Sequence, residues 1–294
     1  MAETTLAPQV SASSRDRQGS FRIFWNRLRS YRPGFISLII LILLYIIAFA
    51  GPLVMRWSPN ELDLTNMLAG PSWHHLLGTD ENGRDVFARL VYGGRISLVV
   101  GLFAVLIADT VGVLFGAVSG YFGKVTDQVV MRVTDAMLAI PGFLLLLVVL
   151  SLFTPTLTKI ELAIGLTSWM TVARLVRGEF LRHKDADFVL AARSIGASDW
   201  RIMFRHLLPQ AVSPVIVSSS VLVGVAIILE SALSYLGLGV QPPQASWGNM
   251  LTGAQNYVWT EPALAIYPGL LILITVSAFN YFGEGLRSAL NVTE

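Results

Sequence analysis

Two carboxylates set in otherwise uncharged apolar runs, Asp109 and Glu230, are the side chains of this sequence best placed to do chemistry. A charge at the middle of a membrane helix costs about 2.5–3.5 kcal/mol on insertion scales, so such an acid needs a polar interior or a partner. Each reads either as lining of a translocation path or as an inter-helix hydrogen bond, the bond being the simpler account of Asp109. His74 and His75 are adjacent, point different ways in regular structure and have no third ligand fixed nearby, so no metal site is expected. Gly78-Thr79-Asp80 and Gly83-Arg84-Asp85 read as turns with local Asp/Arg pairing, or as a binding surface. His183 and His206 read as surface or interface residues. No G-x-x-x-x-G-K-[ST] phosphate cradle occurs, and no Ser/His/Asp or paired-carboxylate constellation supports catalysis. The chain is therefore expected neither to hydrolyse ATP nor to be an enzyme. It has no cysteine, which excludes disulfides and thiolate metal sites.

The elements that must hold the two acids are membrane spans. The 294 residues are 54% hydrophobic and 14% charged, where soluble domains carry about a quarter charged residues. The net charge of +2 gives no reason to expect nucleic-acid binding. A hydrocarbon core of roughly 30 Å takes about 20 apolar residues per helix. Six runs meet or approach that length: 35–55, 96–121, 133–153, 160–176, 212–238 and 264–283. The fourth is the shortest, with an uncharged core of 162–173 only. The expectation is an all-α membrane protein of about six transmembrane helices. A tail (1–34) precedes a retained first span (35–55), an outside loop (56–95), a core (96–283) and a second tail (284–294). With both termini inside, cytoplasmic segments hold sixteen of the 21 Lys and Arg, as the positive-inside rule requires.

Two stretches qualify as packing surfaces. Ala104, Ala108, Gly112, Gly116 and Gly120 form an every-fourth-residue stripe that lets helix backbones approach closely in lipid. Ser218, Ser219, Ser220, Gly224 and Ala226 suggest a second one. Arg174 is expected to snorkel to headgroups. Residues 1–20 read as disordered. The segment 21–32 mixes Arg22, Arg27, Arg29 and Arg32 with aromatic and aliphatic residues, and reads as an interfacial helix or a solvated basic tail. The outside loop 239–263 holds Pro242, Pro243, Trp247, Tyr257, Trp259 and Pro262 and no basic residue. It suits docking of a partner, plugging of the outer cavity, or anchoring at the headgroups.

The most informative segment lies in the loop 177–211 and reads FVLAARSIGASDWRIMFRHLLP over 188–209. Asp185 or Asp187 could cap a short helix with Phe188, Val189, Ala192 and Ile195 on one face. Gly196 supplies a stop. Ser198 could cap a second helix carrying Trp200, Met203, Phe204, Leu207 and Leu208, closed by Pro209. Two amphipathic helices about a glycine form a docking surface, or lie in the membrane interface.

This segment resembles the EAA loop of ABC-importer permeases, whose pattern is E-A-A, three residues, G, nine residues, I-x-L-P. Leu190, Ala191 and Ala192 stand at the E-A-A positions, Gly196 follows after three residues, and Leu208-Pro209 falls at the family spacing. Leu190 replaces the glutamate and His206 the usual isoleucine. Stretches 75–98, 119–146 and 230–251 resemble the dipeptide/oligopeptide/nickel permease family, in its C-type subunit. The resemblance implies the type I importer permease fold in a bacterial inner membrane. It implies a second, homologous permease subunit, two ATP-binding subunits that carry ATP and Mg, and an extracytoplasmic substrate-binding protein facing the loop 239–263. It also makes Ala191, Ala192, Arg193, Gly196, Ala197, Asp199 and Trp200 the contacts to the ATPase, with dipeptides or oligopeptides as cargo and nickel or other peptide-like solutes as alternatives. A self-contained secondary transporter using Asp109 and Glu230 as ion sites is the rival.

Overall fold

Asp85 starts the longest helix. Its side chain accepts from the Ala88 N–H at 2.6 Å and caps α3, Val86–Phe122, 37 residues long. At 1.5 Å per residue that is roughly 55 Å, well beyond a hydrocarbon core. The sequence suggested a start at 96 because Arg89 and Arg95 lie upstream. The structure buries Arg89, where it pairs with Asp80 at 3.5 Å and donates to the Pro59 carbonyl at 3.3 Å. The small-residue stripe of α3 meets α6 (Leu157–Leu166) and α7 (Trp169–His183). A methyl group added at Gly112, Gly116 or Gly120 would lie 2.7, 2.5 or 3.0 Å from the backbone carbonyl of Trp169, Ala173 or Arg177 respectively. Reciprocally, one added at Gly165 would sit 2.7 Å from the Ala104 carbonyl. The stripe thus packs helix backbone on helix backbone, as expected.

The computed structural model describes residues 15–290, whose regular elements are all helices, with no strand among them. The stretch 1–14, the larger part of the segment expected to be disordered, lies outside the described residues, as do 291–294. Among the described residues, four helices are long and apolar enough to cross a membrane: α2 (Arg32–Val54), α3, α10 (Leu208–Tyr235, continuous with residues from Asp199) and α12 (Ala263–Leu290). A fifth span exists if α4 (Lys124–Leu138) and α5 (Gly142–Ser151) count as one, bent by 83°. The expected run 133–153 crosses that bend. Pro141 has no N–H and disfavours helix at Ile140, and Gly142 follows it. The expected run 160–176 is likewise divided, between α6 and α7, at Thr167 and Ser168. Thr167 Oγ1 turns back onto the Ala163 carbonyl at 2.8 Å and competes with helix propagation. Its near neighbour Arg174 pairs with Asp135 of α4 at 2.5 Å, both half-exposed, instead of reaching outward alone.

The two ends of the bundle differ. At one end, α1 (Arg15–Ser30) lies against the last turns of α12, so the helix expected at 21–32 starts earlier. Gly34 and Gly285 meet backbone to backbone, Leu28 is buried beside them, and Tyr31 donates to Glu284 at 2.5 Å. Residues 284–290, expected in a tail, continue α12. At the other end, the loop 55–85 folds on itself. Arg84 pairs with Asp80 at 2.7 Å, which is the turn reading of that segment. His75 is buried, stacks on Trp57 and bonds Asp85 through Nδ1 at 2.9 Å. The aromatic loop beyond α10 is also folded inward. Ser246 and Asn249 form a capping box that starts α11, Trp247–Ala254, unforeseen in the sequence. Trp247 is a core residue that donates to the Leu90 carbonyl at 3.0 Å, whereas Trp259 is 94% exposed.

Replacement of Gly116 by Ala should destabilise the protein by about 1–3 kcal/mol, because the new methyl meets backbone that cannot step aside. Gly178, on α7, has open space at its Cβ, and Gly178→Ala should leave stability unchanged or raise it by about 0.5–1 kcal/mol. Thermal unfolding of both variants in one detergent checks the contrast.

Candidate functional site

The segment between α7 and α10 is built around one glycine. Helix α8, Asp187–Ser194, ends at Ile195, and Gly196 follows at φ +80°. The Gly196 N–H donates to Arg193 O and the Ala197 N–H to Ala192 O, both at 3.0 Å, the paired bonds of a Schellman stop. Only glycine adopts that φ without strain. Ser198 stands at the next N-cap but makes no side-chain cap, and Ala186, not an aspartate, precedes α8. Helix α9, Asp199–Arg201, passes into π-helical turns over Ile202–Leu207 and then directly into α10. Pro209 therefore does not close the second helix. It lies inside the continuous helix, directly after the π-helical turns, which widen the helix where the proline has no N–H to donate.

The two short helices have two faces. Val189, Ala192, Ile202, Met203 and Leu207 are buried in one cluster with Ala117 of α3, Val172, Val176 and Phe180 of α7, and Ala211 of α10. Leu190, Ile195, Trp200 and Phe204 are exposed, Ile195 to 86% and Trp200 to 60%. Trp200 and Phe204 stack on each other at 5.6 Å. Of the residues singled out in the sequence, Ala191, Arg193, Gly196, Asp199 and Trp200 lie on the exposed side, Ala197 is half-buried and Ala192 is turned into the core. Tyr121, near the end of α3, donates to Asp199 at 2.6 Å and ties the segment to the longest helix. Nothing in the sequence pattern flagged Tyr121, since the bond joins residues 78 apart. Nearby, Arg177 of α7 makes a bidentate pair with Asp127 of α4, which also accepts from Ser119 of α3.

The two acids in the apolar runs differ in environment. Glu230 is fully buried and accepts from Ser97 at 3.0 Å and Ser234 at 2.7 Å, with Ser231 at 3.5 Å. Ser97 also accepts from the Trp247 N–H at 3.3 Å, and Ser234 from that of Val240 at 3.0 Å. Glu230 thus joins α3, α10 and the start of α11 through inter-helix hydrogen bonds. Asp109 is half-buried. One oxygen accepts from Ser219 of α10 at 2.6 Å, and Oδ1 has no hydrogen-bond partner among the described residues.

The sequence that builds this loop and its helices has relatives among known proteins. The model of a family described as binding-protein-dependent transport system inner membrane component matches residues 112–291. The chain belongs to this family. A second family, the N-terminal TM domain of oligopeptide transport permease C, matches residues 20–71. A glutathione transport system permease protein of Pectobacterium atrosepticum is 40% identical over 272 residues, covering 92% of this chain and 90% of that one. A dipeptide transport system permease protein of Alkalihalophilus pseudofirmus is 37% identical over 271 residues, covering 92% and 89%. A glutathione transport system permease protein of Escherichia coli O6:K15:H31 is 40% identical over 269 residues, covering 91% and 89%. The permease is thus a multi-pass membrane protein of a transport family, with residues 112–291 matching that family and residues 20–71 the second one.

Glu230→Ala should destabilise the permease by roughly 3 kcal/mol, because it strands buried hydroxyls and opens a void. Asp109→Asn keeps an acceptor for Ser219 and should cost less than about 1 kcal/mol. Unfolding midpoints of the two purified variants would reverse the assignment if their order were inverted.

Proposed function

We propose that this chain is one of two related permease subunits of an ATP-driven importer, carrying dipeptides or oligopeptides handed over by an extracytoplasmic binding protein. The observation that carries the reading is the loop 187–207, whose inner face belongs to the core of α3, α7 and α10 while its outer face is exposed and apolar. A surface so joined to the spans receives force from a docked partner. Its position is cytoplasmic, with both termini on the same side. The gathering of Arg22, Arg27 and Arg29 of α1, Arg193, Arg201 and Arg205 of the loop, and Arg287 of α12 supports that side. The relatives named for glutathione and for dipeptides support a peptide as cargo.

In this reading the chain is no enzyme: ATP and Mg are held by two separate ATPase subunits, one on each permease. Closure of the ATPase pair draws the loops together. The motion passes through the cluster around Val189, Ile202 and Met203 to α7 and α10, and through Tyr121 to α3. The bundle thereby switches between inward- and outward-facing states, since a docked loop biases a two-state bundle. Peptide enters from the binding protein in one state and leaves to the cytoplasm in the other.

Uptake of labelled di- and oligopeptides in cells with and without the gene tests the cargo, with unlabelled competitors that include nickel. Gly196→Arg, which forces a bulky residue to φ +80° on the exposed turn, should abolish uptake and recovery of the ATPase with the permease. Wild-type recovery and uptake in that variant would refute the docking role. Unchanged peptide uptake on deletion, with loss of nickel uptake, would replace the cargo.

A further inference from the structure

The loop carries a second feature beside its apolar face. A cavity of about 330 Å³ opens between the two short helices, lined by Ala192, Ile195, Ala197, Arg201, Arg205 and His206. No acidic residue lines it. Arg201 and Arg205 are four residues apart on one side of the helix, and neither has an ion-pair or hydrogen-bond partner among the described residues. Four arginines elsewhere are ion-paired, Arg84 and Arg89 with Asp80, Arg174 with Asp135 and Arg177 with Asp127, whereas Arg201 and Arg205 are unpaired among the described residues and share one concave site. The loop's own Asp199 is engaged by Tyr121.

We propose that this cavity receives an acidic side chain of the ATPase subunit, held by Arg201 and Arg205 over a floor of Ala192 and Ala197. The inference rests on the docking role given to the loop above and names the chemistry of the partner there. Three features select a carboxylate on a protein. The cavity is concave and sized for one or two side chains, where a bilayer presents a broad surface. Its cations include two arginines, which grip a carboxylate in a two-point fork that lysine cannot make. Between Asp187 and Leu207 the loop has no lysine at all, and exposed Trp200 and Phe204 stand beside the arginines in sequence. Arginine and aromatic residues without lysine are the composition of a protein–protein contact. Apolar contacts at Ile195 and Trp200 exclude water, and the buried ion pair fixes register.

The test is recovery of the ATPase with tagged, full-length permease purified as the assembled complex. Arg201→Gln with Arg205→Gln should lower recovery about tenfold at low salt, the size of effect expected for losing close charge pairs. Wild-type recovery should fall as NaCl is raised from about 0.1 to 1 M, which shortens the screening length from about 10 to 3 Å, and that of the double variant should not. Both side chains are exposed, so the variant should fold, and the Arg201→Lys, Arg205→Lys pair should restore part of the loss. Recovery of the double Gln variant within twofold of wild type, with Gly196→Arg still unable to recover the ATPase, would overturn the cavity's role and leave the docking loop standing. Wild-type recovery in both variants would overturn docking itself. Unchanged recovery with ATPase activity lost only in phosphatidylglycerol nanodiscs, not in phosphatidylcholine, would assign the cavity to lipid headgroups instead.

Discussion

The structure depends on how closely α3 approaches α6 and α7. Within a membrane, burying one apolar side chain against another gives no advantage over burying it in lipid, so helix association must come from close packing and polar contacts. Gly112, Gly116 and Gly120 supply the packing, since any Cβ there would meet the backbone of α7. The approach fixes the height of α7 against α3. It therefore fixes where α8 and α9 emerge, because these helices bury Val189, Ile202 and Met203 on Ala117, Val176 and Phe180. A packing constraint in the spans thus places the loop that a partner would grasp.

The loop itself is held by few but distinct means. Gly196 turns the chain with two backbone bonds, so the angle between α8 and α9 is set by main chain and tolerates exposed side chains around it. The second arm then enters α10 without a break. Its π-helical turns, where the Leu208 N–H bonds Met203 O five residues back, are wider than α-helix and are a common location for functional distortion. The loop is joined to α10 through that segment, and to α3 through Ala117 in the shared buried cluster and through the hydroxyl of Tyr121.

Much of this was legible in the sequence, and the failures have physical causes. The glycine spacing announced the α3 packing surface, and the Schellman stop at Gly196 follows from a glycine after an amphipathic octet. Span ends were misjudged wherever an interaction distant in sequence outweighed a local charge. Arg89 reads as the outside of a membrane until Asp80 neutralises it, which lets α3 begin ten residues early. The kink at Pro141 was legible and was overridden by apolar length alone. The faces of α8 and α9 were assigned by periodicity, but Ile195, Trp200 and Phe204 turn outward while Val189, Ala192, Ile202, Met203 and Leu207 fill the core beneath. Tyr121–Asp199 and the serine cage of Glu230 join residues 78 and 133 positions apart, and no local pattern encodes them.

The distribution of these polar contacts gives the bundle a stiff end and a yielding end. Around Glu230, hydroxyls and backbone N–H groups are buried, so opening α3 from α10 and α11 there would strand each of them away from water. At the loop end the ties are all partly exposed: Arg174–Asp135, the bidentate Arg177–Asp127 pair joined by Ser119, and Tyr121–Asp199, where water can replace a lost partner. Local opening is drawn from regions with few buried bonds. A partner that grips the loop therefore works against the weaker set of contacts, and the buried serine cage keeps α3, α10 and α11 together as the loop moves. Under the proposed docking, this separation of strong and weak polar ties along the same helices would let the bundle be levered from one end.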